Sequence, residues 1–179
     1  MPGLTRSEIF SPDAVGIYHC WNRCVRRAYL CGWDPITCKD CSHRKKWLRN
    51  RLICLAGAMG IDVLDYAILD NHVHVVLRNR PDVVASWSDE EVALRWRLVC
   101  PERKDADGTP AEPTQLELEE LLAPDKVAEL RVRLSDISWF MRLWTQGLAR
   151  MANLEDGERG RFFAERFGSE PIESVAQLL

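Results

Sequence analysis

Apolar and polar positions alternate through residues 15–22 and again from His72 to Arg78. That two-residue period is the mark of a half-buried strand. Between the two segments the apolar repeat lengthens. Trp47, Leu48, Leu52, Ile53, Leu55 and Ala56 recur at helical spacing, so His43–Met59 is expected to be a helix, with Gly60 as its stop. Ile61–Ile68 is apolar and β-branched, and Asp70-Asn71 is a turn or bulge signal. This segment and His72–Arg78 form either a hairpin or one long bent strand. Pro81 closes that unit.

Helical signals dominate the second half. Ser88 caps a helix whose first turn holds Asp89, Glu90 and Glu91, and Pro101 stops it. Residues 101–113 are polar, contain Asp107-Gly108, and are expected to form a mobile loop. Short helices are expected over Leu116–Leu122 and Asp125–Arg133. Ser135 is the expected cap of a long helix that turns Ile137, Phe140, Met141, Trp144, Leu148 and Met151 to one side. Arg161–Phe167 is the expected last strand, and Pro171 the start of a short terminal helix. Helices and strands together in 179 residues suit one α+β domain with a sizeable core.

The strand over His72–Arg78 changes the picture from fold to chemistry. Residues two apart on a strand share a face, so His72 and His74 project together while Val73 and Val75 point away. Neutral imidazole is a common metal ligand, and two such rings can hold one divalent ion with positions left for a substrate oxygen. A strand with two half-exposed histidines and no metal fits the same spacing. Tyr18 and Tyr66 lie on expected strands, where a buried structural phenol is the ordinary role.

Charge adds a candidate partner. The net charge is −3, yet residues 1–80 carry 12 Lys and Arg against 7 Asp and Glu, while residues 81–179 carry 12 against 20. The basic excess gathers at Arg23, Arg26, Arg27, Arg44, Lys45, Lys46, Arg49 and Arg51. Phosphates are attracted to such a cluster, and counterion release makes the binding salt-sensitive. Trp21, Trp33 and Trp47 lie among these charges, placed either to stack on unpaired bases or to fill a core. A solvated helix face accounts equally well for Arg44–Arg51. No apolar run reaches the ~20 residues of a membrane span. The N-terminus lacks a basic-then-apolar signal pattern, so a cytoplasmic protein is expected.

Seven cysteines bring one more possibility. Cys38-x-x-Cys41-x-His43 has the form of half a zinc site, with Cys20, Cys24 or Cys31 as a fourth ligand. A second tight pair is absent from the sequence. Cys54 and Cys100 read as buried hydrophobes.

Four stretches in order carry a family resemblance. They are Tyr18-His19-Cys20-Trp21-Asn22-Arg23, Tyr66–Leu77 with its His-Val-His centre, Ser135–Asn153, and Gly160–Phe167. Together the chain resembles the HUH-class single-tyrosine transposases, including the REP-associated ones, over roughly residues 15–168. The resemblance implies a ferredoxin-like antiparallel sheet with packed helices, often dimeric. It implies DNA, single-stranded or hairpin, as the partner, and DNA transposition by strand cleavage and joining as the family's activity. His72 and His74 would hold Mg²⁺ or Mn²⁺ against the scissile phosphate, and a tyrosine of the C-terminal helix would attack it. This sequence departs at the nucleophile. Its tyrosines, Tyr18, Tyr29 and Tyr66, all precede the histidine pair, and the matching helix has Leu148 and Met151 where a tyrosine is expected.

Three functions follow as alternatives: a degenerate transposase-like DNA-binding protein, a non-catalytic DNA-binding or regulatory module, and a small zinc-binding structural protein. The apolar ending Leu178-Leu179, soon after Arg166-Phe167, is expected to be a truncated product or an exposed edge that favours association.

Overall fold

The computed structural model describes residues 10, 13–25, 30–35, 38–105, 110–164 and 166–173. The alternating segments become the two central strands of a four-stranded antiparallel sheet, β1 (Ile17–Arg23) and β5 (His72–Asn79). The pair lies in register from Ile17 opposite Arg78 to Arg23 opposite His72. Tyr18, Cys20, Val73, Val75 and Leu77 are buried on one face, and His19, Trp21, His72 and His74 are only partly covered on the other.

β4 (Ile61–Ile68) is joined to β5 by the Asp70-Asn71 turn, so the two are a hairpin, with a bulge between Val63 and Asp65. The outer strand beside β1 is β6 (Gly168–Pro171), which gives the order β4-β5-β1-β6. A separate two-stranded ribbon pairs β2 (Trp33–Asp34) with β3 (Lys39–Asp40).

Helices cover the apolar face. α1 (His43–Ala58) buries Arg44, Leu48, Leu52, Leu55 and Ala58. Short α2 (Pro81–Ala85) leads into α3 (Asp89–Val99), whose cap Ser88 accepts from the Glu91 amide. α4 (Gln115–Glu119) and α5 (Pro124–Ser135) precede α6 (Ile137–Asp156), which packs along α1. Trp144 of α6 is fully buried and donates its indole N–H to the Leu48 carbonyl at 3.0 Å. No helix among the described residues is long and apolar enough to cross a membrane.

Pro81 follows the end of β5 at Asn79, as expected, and also fills the first turn of α2, where its missing N–H costs nothing. Several other expectations are corrected. Ser135 is the last residue of α5, and Asp136 caps α6 by accepting from the Ser138 and Trp139 amides. The carboxylate meets the positive helix end better than a hydroxyl, and the Ser135 hydroxyl turns back to the Arg131 and Val132 carbonyls.

The last strand is Gly168–Pro171 rather than 161–167, and only Phe163 bridges to Cys24 in the earlier stretch. Gly168 lies opposite Trp21, whose indole would stand 2.2 Å from any Cβ placed there. A side chain at that position would force the strands apart. Pro171 is tolerated because β6 is an edge strand. The proposed terminal helix falls largely outside the described residues, as does the centre of the 101–113 loop, although Lys104 and Pro110 form a bridge across it.

Exposure corrects four more. Tyr66 is 40% exposed because the β4 edge is not fully roofed, while Ile53 and Cys54 face outward from α1. Met151 is exposed on α6, and Ala152 takes the buried position.

Candidate nucleic-acid interface and metal site

Three of the chain's four histidines meet on the half-open face of the sheet. β5 places His72 and His74 two residues apart, with ring centroids 5.0 Å apart and planes nearly perpendicular. β1 contributes His19, stacked on His74 at 5.0 Å with its Nε2 2.8 Å from His74 Nδ1. β6 contributes Glu170, whose carboxylate lies 3.0 Å from His19 Nδ1.

These contacts fix the tautomers. A carboxylate only accepts, so His19 Nδ1 donates to Glu170. His19 Nε2 then carries a lone pair and accepts from His74 Nδ1–H. The Nε2 lone pair of His74 is left over. At His72, the Asn71 Oδ1 lies 2.5 Å from Nδ1 and takes the proton there, which again leaves Nε2 bare. Both rings thus keep a basic nitrogen for a cation. Anchoring the far nitrogen of a ligand histidine is how proteins fix such ligands.

The face around them is only partly covered, and one arginine on it is free of carboxylates among the described residues. His74 sits between Trp21 and the small Ala67 across the strands, and His72 sits opposite Arg23. The Arg23 side chain is exposed and makes no ion pair among the described residues. Farther along, Arg78 and Arg80 are spent on Asp62 and Asp82. Lys45 reaches the hairpin turn next to His72, with its ammonium 3.4 Å from Asp70.

Other predicted contacts separate from this site. Arg44 is 1% exposed and is held by Glu155 and Asp156 at 2.8 and 2.6 Å, so its charge is consumed inside the protein. Lys46 and Arg49 are exposed on α1, which packs against the opposite face of the sheet. Arg26 and Arg27 lie outside the described residues, as does Tyr29. Trp33 is exposed on the small ribbon, and Trp47 is half-buried against His43.

The cysteine motif does not assemble. Cys38 is exposed, Cys41 is buried, and His43 pairs with Glu155 at 2.8 Å. Burial pushes the Cys24 and Cys31 thiols up to about 12. Among the described residues no three His, Cys, Asp or Glu side chains group to hold a metal. His72 and His74 thus have no third protein ligand beside them among the described residues.

His74 sits below the ordinary imidazole value, first because it is partly desolvated and then because His19 and His72 repel a third charge. Its charged form is disfavoured in the folded state, so the unfolded chain binds the extra proton more readily. Stability contributed by the neutral ring is full above about pH 6.5 and falls as pH drops from there towards the lower folded value. In metal-free protein, the His74 ring protons are expected to titrate below that of a model imidazole by NMR. His74→Gln should flatten the stability slope below about pH 6.5. Denaturant midpoints across that range measure it, and an unchanged slope would contradict the assignment.

Sequence reasoning missed His19 and Glu170. The signal for His19 was present: the alternation in residues 17–23 puts His19, Trp21 and Arg23 on one face, just as it does His72 and His74. Nothing local marks Glu170, which becomes a partner only through the β1–β6 register. No family model matches the chain, and no curated protein matches it.

Proposed function

We propose that this chain is a ferredoxin-like HUH domain that binds single-stranded or hairpin DNA and presents one phosphate to a divalent cation. The strand order supports the fold part: strand, helix, a hairpin, helices and a last strand give the order β4-β5-β1-β6, that of a split βαβ arrangement. The observation that carries the function is the pair of bare Nε2 atoms of His72 and His74 beside Arg23 and Trp21. Arg23 meets the DNA backbone, and Trp21 offers an aromatic edge to an unpaired base. Mg²⁺ or Mn²⁺, when bound, polarises a phosphoryl oxygen. His19 and Glu170 hold the His74 ring in the tautomer that faces the cation.

A second reading, binding without strand transfer, is favoured by the tyrosines. Tyr18 is buried, and Tyr66 lies opposite Val75 on the helix-covered side of the sheet. Neither described tyrosine reaches the histidine face. A transposase-like domain that grips DNA without forming a phosphotyrosine follows from that placement.

One experiment tests both. Purified protein is mixed with labelled single-stranded hairpin DNA, with and without Mn²⁺, over a salt series. Binding is expected to weaken by at least tenfold between 50 and 200 mM salt, to be tighter with Mn²⁺, and to leave no covalent adduct on denaturing gels. Absence of DNA binding at low salt sinks the proposal; an adduct sinks the second reading.

A further inference from the structure

A cavity of about 400 Å³ opens on the other side of β1 from the histidines. Its floor is Asn22, whose side chain points away from the face that carries Trp21 and Arg23. One wall is a face of α6, with Trp139, Arg142 and Thr145. The other is the segment after α6, with Phe163, Arg166 and Phe167. Two features set this cavity apart from a packing defect. It is lined by three aromatic rings, and its two guanidinium groups make no ion pair among the described residues.

Arg142 and Arg166 are exposed, and neither makes an ion pair among the described residues. By contrast, Arg44, Arg78, Arg80, Arg95, Arg97, Arg103, Arg131 and Arg133 are each held by a carboxylate. Trp139 is already prepared as a cation-binding ring. Arg133 lies 4.4 Å and Arg142 4.8 Å from its centroid. A guanidinium that touches an aromatic ring but no carboxylate among the described residues suits a ligand that is flat at one end and anionic at the other.

We propose that this cavity binds one nucleotide unit of a single strand, with the base against Phe163 and the edge of Trp139, and the phosphate on Arg142 and Arg166. A volume of about 400 Å³ accommodates one nucleotide and excludes a base pair. Every base has a π-face, so aromatic walls accept any of them. Asn22 adds an amide able to donate to or accept from a base edge, as asparagine commonly does. Its Oδ1 already receives the Arg23 amide at 3.0 Å, so its NH₂ is the group turned to the ligand. The proposal rests on the DNA-binding reading above and adds a second contact to it. The cation site and the nucleotide slot lie on the two faces of one strand end, so a strand crossing the edge of the sheet near Arg23 touches both.

The probes are a fluorescein-labelled twelve-residue oligothymidylate and free thymidine 5′-monophosphate. Arg142→Gln/Arg166→Gln changes only exposed side chains, and Phe163→Leu removes one ring while keeping bulk. The double variant is expected to bind the oligonucleotide about tenfold or more weakly and to show a shallower salt dependence. Phe163→Leu is expected to lose about tenfold. The Trp139 indole N–H, assigned through Trp139→Phe, is expected to shift on titration with the mononucleotide. Unchanged oligonucleotide affinity in the double variant, or an unmoved Trp139 signal at millimolar mononucleotide, overturns the proposal. Mn²⁺ affinity separates the two readings. Loss of oligonucleotide binding only through Arg23 or His72 keeps the sheet-face function and removes the slot. Mononucleotide binding at Trp139 in a protein that binds neither Mn²⁺ nor DNA at the sheet keeps the slot and removes that function.

Discussion

His72→Ala is expected to lower the affinity for Mn²⁺ by about 100-fold or more and to erase the Mn²⁺-dependent part of DNA binding. In the proposed arrangement two protein nitrogens would hold the cation, and a single imidazole in water is a weak ligand. Loss of a mere supporting partner already costs ten- to a hundredfold at metal sites, so loss of a ligand sits at or beyond the upper end. His74→Ala should match it. Glu170→Gln leaves both ligands in place but weakens the acceptor that fixes His19 and, through it, the His74 tautomer. Its expected cost is about tenfold. The measurement is Mn²⁺ titration followed by electron paramagnetic resonance of the free ion, with melting temperature as the check on folding. Equal Mn²⁺ affinity in His72→Ala and the unaltered protein would remove the cation from the site and leave the histidines as ordinary strand residues.

The contrast between Glu170 and His72 shows what a sequence can disclose of such a site. His72 and His74 are legible because their relation is local. A strand forces residues two apart onto one face whatever the rest of the chain does. His19 is half-legible, since its own strand is visible but its neighbour is not. Glu170 lies 151 residues away from His19 in the chain. It joins the site through a four-residue strand, Gly168–Pro171, that has no β-forming side chain to announce it. That strand exists because Gly168 lets the Trp21 indole lie across it. Such an element is specified by its partner.

Arg44 makes the same point in reverse. Its position four before Leu48 and eight before Leu52 places it on the buried stripe of α1, yet its charge invites assignment to a nucleic-acid surface. Periodicity outweighed charge because Glu155 and Asp156, at the far end of α6, supply the counter-ions. Those acids are more than a hundred residues away, and no local pattern ties them to Arg44. Helix spans are more legible in this sequence than the start of α6. α1 and α3 fall close to their expected spans, whereas the start of α6 moves by one residue because Asp136 competes better than Ser135 for the free amides.

The packing between those same two helices supports the largest expected effect on stability. Trp144→Ala should destabilise the protein by about 3–5 kcal/mol. The ring is fully buried where α6 meets α1, and its N–H satisfies the Leu48 carbonyl of the facing helix. Removing it takes away apolar burial, leaves a void that rigid helices cannot close, and strips one hydrogen bond. Domains hold only about 5–15 kcal/mol in total, so the variant should sit near the edge of folding. At about 2–4 °C per kcal/mol for a chain of this size, the melting temperature should fall by roughly 6–20 °C. Trp144→Phe separates the contributions. It keeps most of the apolar volume and loses the donor, so its expected cost is about 1–2 kcal/mol. Chemical denaturation of the three proteins measures both. If Trp144→Phe costs as much as Trp144→Ala, the hydrogen bond to Leu48 rather than the filled volume joins the two helices. A small cost in both would mean that α6 is not seated on α1 as described. The cavity wall formed by Trp139, Arg142 and Thr145 would then lose the support that positions it.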